Sequence, residues 1–184
     1  HLTLLAQDLD GYRNLCRLVT LGYTEGFYFK PRVDFELLER YNKGLICLSG
    51  CMSGEIGEYA KHEDIEGARR FVKRYLSAFG DRYFLEVQPH CMKEQQTLNK
   101  MLAELTTELS VPIVATNDCH YLSPDDHYAQ EVLMCVSTGK LITDEDRLHH
   151  EEARLHFKSG EEMLAELPGF EDAVRRTVEI AERC

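Results

Sequence analysis

The feature that most constrains the fold is a regular alternation of two kinds of segment. Short apolar runs, Leu2 to Ala6, Leu45 to Ser49, Tyr83 to Gln88 and Pro112 to Thr116, are too brief for helices and are bounded by Gly, Pro, Asp or Asn, which marks them as strands. Between them lie longer segments with apolar residues three and four apart, such as Tyr12, Leu15, Cys16, Val19 and Tyr23. Gly67 to Phe79 sets Ala68, Phe71, Val72, Tyr75, Leu76 and Phe79 on one face against Arg69, Arg70, Lys73 and Arg74, the pattern of an amphipathic helix. Lys93 to Leu109 repeats it, and Gly80 and Ser110 punctuate the two ends. Four strand-helix units result. Strands apolar almost throughout, joined by helical crossovers, predict an α/β fold with a parallel sheet covered by helices, either open or, the favoured form, closed into a (β/α) barrel.

After Thr116 the rhythm changes. A polar stretch, Asp118 to Asp126, leads into a helix from about His127 to Val136. Gly139 to Glu152 is charged, without strong periodicity, and reads as loop. Two terminal helices, Ser159 to Leu167 and Phe170 to Arg183, are separated by Pro168-Gly169.

Charge narrows the function classes. With 21 Lys+Arg against 32 Asp+Glu in 184 residues, the net charge of −11 excludes a broad face gripping duplex nucleic acid, which rests on many cation-phosphate contacts. Nothing approaches the roughly 18 uninterrupted apolar residues of a membrane span, so a cytoplasmic chain is expected. The seven cysteines are odd in number, irregularly spaced and form no CxxC pair, which favours reduced thiols over a disulfide framework or a zinc knuckle. The opening His1-Leu2-Thr3 lacks an initiator Met and enters an apolar run at once, so a piece of something longer is expected.

In parallel α/β folds ligands bind at the carboxyl ends of strands. Pro112 to Thr116 is followed by Asp118 and His120, which in an extended segment project to the same side; carboxylate plus imidazole is a common pairing for a divalent ion, with a turn Asp and a capping His as the blander alternative. Leu45 to Ser49 runs into Cys51, a thiolate ligand, a nucleophile or a small apolar filler. Tyr83 to Gln88 leads to His90. Three of the four strand ends therefore carry His, Cys or Asp. Lys30 and Arg32, in Phe27-Tyr28-Phe29-Lys30-Pro31-Arg32, form a compact basic and aromatic patch suited to a phosphate or a stacked base, or a structural Pro turn. His149, His150 and His156 read as solvated loop residues, and Asp144-Glu145-Asp146 as a solvated loop or cap.

The strings HLTLLAQDLDGYRNL (His1 to Leu15), YTEGFYFKPRVD (Tyr23 to Asp34), GLICLSGCMSGEI (Gly44 to Ile56), YFLEVQPH (Tyr83 to His90) and VPIVATNDCHYLSPDD (Val111 to Asp126) closely resemble the PHP (polymerase and histidinol phosphatase) domain of the alpha subunits of the bacterial DNA polymerase III family, the C-family replicative polymerases. The resemblance spans nearly the whole chain. VLMCVSTGK (Val132 to Lys140) and FKSGEEM (Phe157 to Met163) look like the segment leading towards the polymerase core, which implies residues 1–138 as the later part of the domain and 139–184 as connecting loop and helices.

That resemblance implies a distorted seven-stranded barrel, incomplete in this chain, whose mouth holds divalent ions. Matched residue by residue, it implies His1, Cys51, Asp118 and His120 as metal ligands, Asp118 and His120 also serving catalysis. His1 precedes its apolar run, so its place comes from the resemblance and not from the strand-end rule. His90 is implied as a residue supporting the ligands or touching substrate, a role extended to Lys30 and Arg32. The family's HxH motif and the Asp, His and Glu ligands that follow it belong upstream of His1, so a complete site is not expected from these residues alone. Zn or Mn suits the mixed N, O and S donors better than Mg.

The implied activity is metal-dependent phosphoester hydrolysis, as a 3′-5′ exonuclease or a pyrophosphatase, with DNA and other replicase subunits as partners. Two alternatives stand beside it: a catalytically inactive domain that stabilises the polymerase or docks a separate proofreading exonuclease, and a free-standing phosphatase of small phosphate esters. Nucleotidyl transfer is not expected within this chain, which lacks paired Asp residues on adjacent strands.

Overall fold

Strand β1 (Thr3–Ala6) opens a four-stranded sheet completed by β2 (Leu45–Leu48), β3 (Tyr83–Val87) and β4 (Ile113–Ala115), in the spatial order β1-β2-β3-β4. The computed structural model describes residues 1–148 and 154–184, so His149 and His150 lie outside the described residues. The helices are α1 (Leu9–Thr24), α2 (Phe35–Tyr41), α3 (Glu55–Lys61), α4 (Ile65–Phe79), α5 (Lys93–Leu109), α6 (His127–Thr138), α7 (Gly160–Glu166) and α8 (Glu171–Glu182). Local chemistry sets several of their ends. Asp8, Asp34 and Asp64 cap α1, α2 and α4 by accepting from the Gly11, Leu37 and Gly67 amides. Ser159 and Glu162 form a reciprocal capping box on α7. Ser110 takes the left-handed conformation that ends α5.

The sheet is mixed, which corrects the expectation of a sheet parallel throughout. Strands β2, β3 and β4 run parallel, whereas β1 pairs antiparallel with β2, Thr3 opposite Leu48 and Ala6 opposite Leu45. Two helices, not one, separate β1 from β2, and α1 packs on α2, so the second pass returns the chain to the end of β1 that it left. The crossing is tight: the Gln7 amide donates to the Gly44 carbonyl at 2.9 Å, and a Cβ at Gly11 would sit 1.9 Å from that same oxygen.

The sheet buries apolar side chains on both faces. Leu45, Cys47, Tyr83, Leu85, Val87, Ile113 and Ala115 pack with Phe71, Tyr75 and Phe79 of α4 and Leu98, Leu102 and Leu105 of α5. Ile46, Leu48, Phe84 and Val114 form a smaller cluster with Ile180 of α8. Helix α8 also covers the edge of β4, where Arg176 Nη1 donates to the Ile113 carbonyl at 2.7 Å and satisfies an edge-strand acceptor. Helix α1 is present as its periodicity predicts, but it turns a different face inward. Gly11, Leu18 and Gly22 are buried, while Tyr12, Val19 and Tyr23 are exposed. Among the described residues no helix is long and apolar enough to cross a membrane.

Gly11→Ala should destabilise the chain by about 1–3 kcal/mol or more, because the added methyl meets backbone that cannot swing away. Gly160→Ala, whose Cβ would enter open space, should stabilise it by about 0.4–1 kcal/mol. Urea-unfolding midpoints measured on both variants check the pair.

Candidate functional site

The carboxyl ends of β2, β3 and β4 are joined by one buried acid. Glu86, 5% exposed, lies on the face of β3 that also carries Phe84. The Gly50 amide donates to its Oε2 at 3.1 Å and the Thr116 hydroxyl to its Oε1 at 2.6 Å, with Gln88 Nε2 at 3.5 Å. Ser49 Oγ accepts from the Glu86 amide at 2.9 Å. Burial raises the Glu86 carboxyl pKa above its ordinary value, and the charge of Asp118 adds to the rise; the bonds from Thr116 and Gly50 oppose it. Sequence reasoning passed over this residue. Its signal is a lone carboxylate inside the apolar run Tyr83 to Val87, where an ionisable group is costly unless partnered.

This carboxylate braces two loops that carry predicted site residues. Cys51 follows Gly50, and Asp118 lies two residues beyond Thr116. The antiparallel course of β1 brings in a third. Because β1 starts where β2 ends, His1 stands beside the loop after Leu48, and its Nδ1 is 4.0 Å from Cys51 Sγ. Its carbonyl also explains Gly50: φ there is +85°, and a Cβ would meet the His1 oxygen at 2.4 Å.

Asp118 and His120 are both exposed, and the segment carrying them is not extended. Asp118 has φ +48°, so the two side chains are related by a backbone turn and not by the pleat. The turn brings His120 Nδ1 to 2.5 Å from the Asp118 carbonyl. A carbonyl only accepts, so Nδ1 is the donor in this bond.

His90 is 7% exposed, and neither ring nitrogen has a hydrogen-bond partner among the described residues. Burial first, then the charge of Lys158, lowers its pKa and favours the neutral ring; Asp118 and Glu166 pull the other way. Lys158 itself is buried and pairs with Glu166 at 2.5 Å. It arrives because the segment around it folds back on the site. Asn117 Nδ2 donates to the carbonyls of Arg154 at 3.0 Å and His156 at 2.7 Å, and Tyr121 bridges to His156. His156 is consequently buried, a correction to its reading as a solvated loop residue.

Lys30 and Arg32 line a cavity of about 740 Å³ that His1 and Glu55 also line. Leu4, Leu15, Leu18 and Tyr75 supply part of its apolar surface. The structure thus brings His1 to Cys51 and Asp118 to His120. The two pairs are separated by β3, and strand spacing sets their parent strands about 9–10 Å apart. Among the described residues no three of His, Cys, Asp and Glu gather into one metal-holding group. Imidazole, thiol and carboxylate are donors that suit a divalent transition ion, and the unpartnered His90 nitrogens are polar atoms left for a ligand; the described residues fit such an ion as two part-spheres and not as a closed one.

Residues 1–90 match the family model of the PHP domain. Along its whole length the chain is similar to DNA polymerase III subunit alpha. It is 40% identical over 184 residues to that of Borreliella burgdorferi, 42% over 187 residues to that of Deinococcus radiodurans and 41% over 187 residues to that of Thermus aquaticus. The alignments cover all of this chain but only 16%, 14% and 15% of those relatives, so it spans a small part of their length.

The Glu86 environment gives a signed pH prediction. A carboxyl with a raised folded pKa contributes stability that is complete below its unfolded value and is lost as pH rises through the folded one. Glu86→Gln keeps the shape, with its amide donating to Thr116 and its carbonyl accepting from Gly50. In metal-free protein the variant should match wild type below the ordinary carboxylate range and gain on it as pH rises above that range. Urea titrations across that range check it; a pH-independent gap would remove Glu86 as a buried, strained acid.

Proposed function

We propose that the chain is part of the PHP domain of a bacterial replicative DNA polymerase alpha subunit, and that its sheet edge serves metal-dependent phosphodiester hydrolysis at a DNA strand end. The activity is 3′-5′ exonuclease, with pyrophosphatase as the smaller-substrate form of the same chemistry. The observation that carries the proposal is the convergence on one edge of His1 with Cys51 and Asp118 with His120, both loops braced by Glu86. Residues 1–138 would be the later part of a distorted seven-stranded barrel and 139–184 the passage towards the polymerase core, in a protein working in the bacterial cytoplasm with DNA and other replicase subunits.

His1 and Cys51 would hold one ion and Asp118 and His120 another, with further ligands from outside these residues; Zn or Mn fits the nitrogen and sulfur donors better than Mg. Divalent ions there would generate hydroxide from water and neutralise charge on phosphate oxygens. The remaining work falls to the chain's own groups. The Asp118 carbonyl fixes the tautomer and direction of His120. His90, neutral and unpartnered among the described residues, offers one N–H to a phosphate oxygen. Lys30 and Arg32 add charge at the cavity wall.

A second reading is a domain that docks a separate proofreading exonuclease without hydrolysing anything itself. The outer face of α6 favours it, since Tyr128, Leu133 and Val136 are all more than half exposed.

Cobalt titration separates the readings. With the full-length polypeptide, Co²⁺ should give a thiolate charge-transfer band that Cys51→Ser removes and Cys91→Ser keeps. Asp118→Asn should lower metal content and cut 3′-end release from a labelled single strand at least about 100-fold, the usual scale for losing an element of metal catalysis. Unchanged exonuclease in metal-depleted Asp118→Asn protein would overturn the metal mechanism, and a wild type that neither takes up cobalt nor releases 3′ ends would leave only the docking reading.

A further inference from the structure

The loop between α1 and α2 shows three aromatic rings to solvent in a conformation that its own sequence disfavours. Phe27, Tyr28 and Phe29 are 57%, 64% and 80% exposed. Phe29 has φ +58°, an outlier for a bulky L residue and a form of strain that concentrates at functional positions. Backbone bonds close the turn without help from the rings: the Tyr28 amide donates to the Lys30 carbonyl at 3.1 Å and the Arg32 amide to the Gly26 carbonyl at 3.2 Å. Tyr28 and Phe29 meet edge to face with centroids 4.6 Å apart, and the Arg32 guanidinium lies 5.4 Å from the Tyr28 ring centre. Pro31 holds Lys30 and Arg32 on either side of it, both exposed and, among the described residues, without a carboxylate partner.

We infer that this loop is a stacking tip for single-stranded DNA, with bases on Phe29 and Tyr28 and backbone phosphates on Lys30 and Arg32. Every base has a π face, so stacking on exposed aromatics beside cations holds a single strand with little regard to sequence. A duplex keeps its bases stacked inside and offers only phosphate, for which a chain of net charge −11 has no broad basic face. Glu25 and Asp34 flank the loop and sharpen that preference, Asp34 being committed to the α2 cap. Behind the tip, the cavity lined by Tyr23, Lys30 and Arg32 continues to His1. A strand held at the tip is thereby directed to the His1–Cys51 pair, and what happens to its end there rests on the phosphoesterase proposal, whereas the binding does not.

The test is fluorescence anisotropy in EDTA with a labelled oligo(dT) of about 12 nucleotides, within the usual footprint of single-strand sites, and a duplex of equal length. Wild type should bind the single strand at least tenfold more tightly than the duplex. Phe29→Gly should weaken single-strand binding about tenfold, the scale of one lost base stack, while its melting temperature rises because glycine accepts the positive φ. Lys30→Gln combined with Arg32→Gln should lower the slope of log affinity against log salt by about 1.4, as expected for two phosphate contacts to a single strand. Equal binding of both DNAs, or Phe29→Gly binding like wild type, overturns the inference; so does a wild-type chain that binds no oligonucleotide, which would leave the tip to a protein partner. Cobalt binding by the wild-type protein, read separately without EDTA, keeps the two proposals apart. A wild type that holds the single strand at the tip but takes up no cobalt counts against the phosphoesterase reading alone, and one that takes up cobalt but binds single strand and duplex equally counts against the tip alone.

Discussion

The arrangement of the whole sheet edge depends on one buried carboxylate. An ionised acid in a strand interior is expensive to desolvate, and Glu86 is tolerated because the Gly50 amide, the Thr116 hydroxyl and the Gln88 amide group all point donors at it. Those donors come from β2's exit loop, from the end of β4 and from β3 itself. The acid therefore works as a cross-brace over strands that would otherwise end independently. Cys51 is one residue beyond one brace point and Asp118 two beyond another, so their spacing follows from the same carboxylate. Its raised pKa is a consequence of that position, since the opposing hydrogen bonds do not fully offset burial and the nearby Asp118 charge.

The second constraint is topological. A helical hairpin between β1 and β2 returns the chain to the end it left, and the close approach of Gly11 to Gly44 leaves no room for a longer path. An antiparallel β1 begins at the edge where the parallel strands finish. That is why His1, first in its run, belongs to the same edge as Cys51, and why a residue that violated the strand-end rule in sequence satisfies it in space. Gly50 is the local concession: only a residue without Cβ, at φ +85°, lets the exit loop of β2 pass under the His1 carbonyl.

Much of this fold is legible in the sequence because it rests on local chemistry. The period of Ala68, Phe71, Val72, Tyr75 and Phe79 places α4, and Asp64, Gly80 and Ser110 mark where helices start and stop. What escaped is set by groups far apart in the chain. The direction of β1 depends on counting helical passes, and a single apolar periodicity between Tyr12 and Tyr23 does not reveal that two helices intervene. The same periodicity points to the wrong face of α1, since close glycine packing, and not apolar bulk, decides what turns inward. Asp118 and His120 were visible as a pair, but a positive φ at Asp118 replaces the pleat that the spacing implied. His156 and Lys158 are buried only because Asn117 draws their segment back over the β4 end, a contact across nearly forty positions.

Charge distribution links the acidic composition to the proposed activity. Glu86, Asp118 and Glu55 place carboxylates at or near the edge where a phosphodiester would have to approach. An incoming strand meets repulsion there unless cations intervene, and at roughly 8–10 Å of screening length such repulsion acts only close in. Two sources of positive charge answer it. Ions held by the His, Cys and Asp donors would reverse the sign at the reacting phosphate, and Lys30 and Arg32 supply fixed charge at the wall of the adjoining cavity. Separating the two has a physical consequence. On the proposed reading grip would remain local, while charge neutralisation would be strongest only where a phosphate reached the donor pairs, which would favour a strand end over a duplex without any broad basic surface.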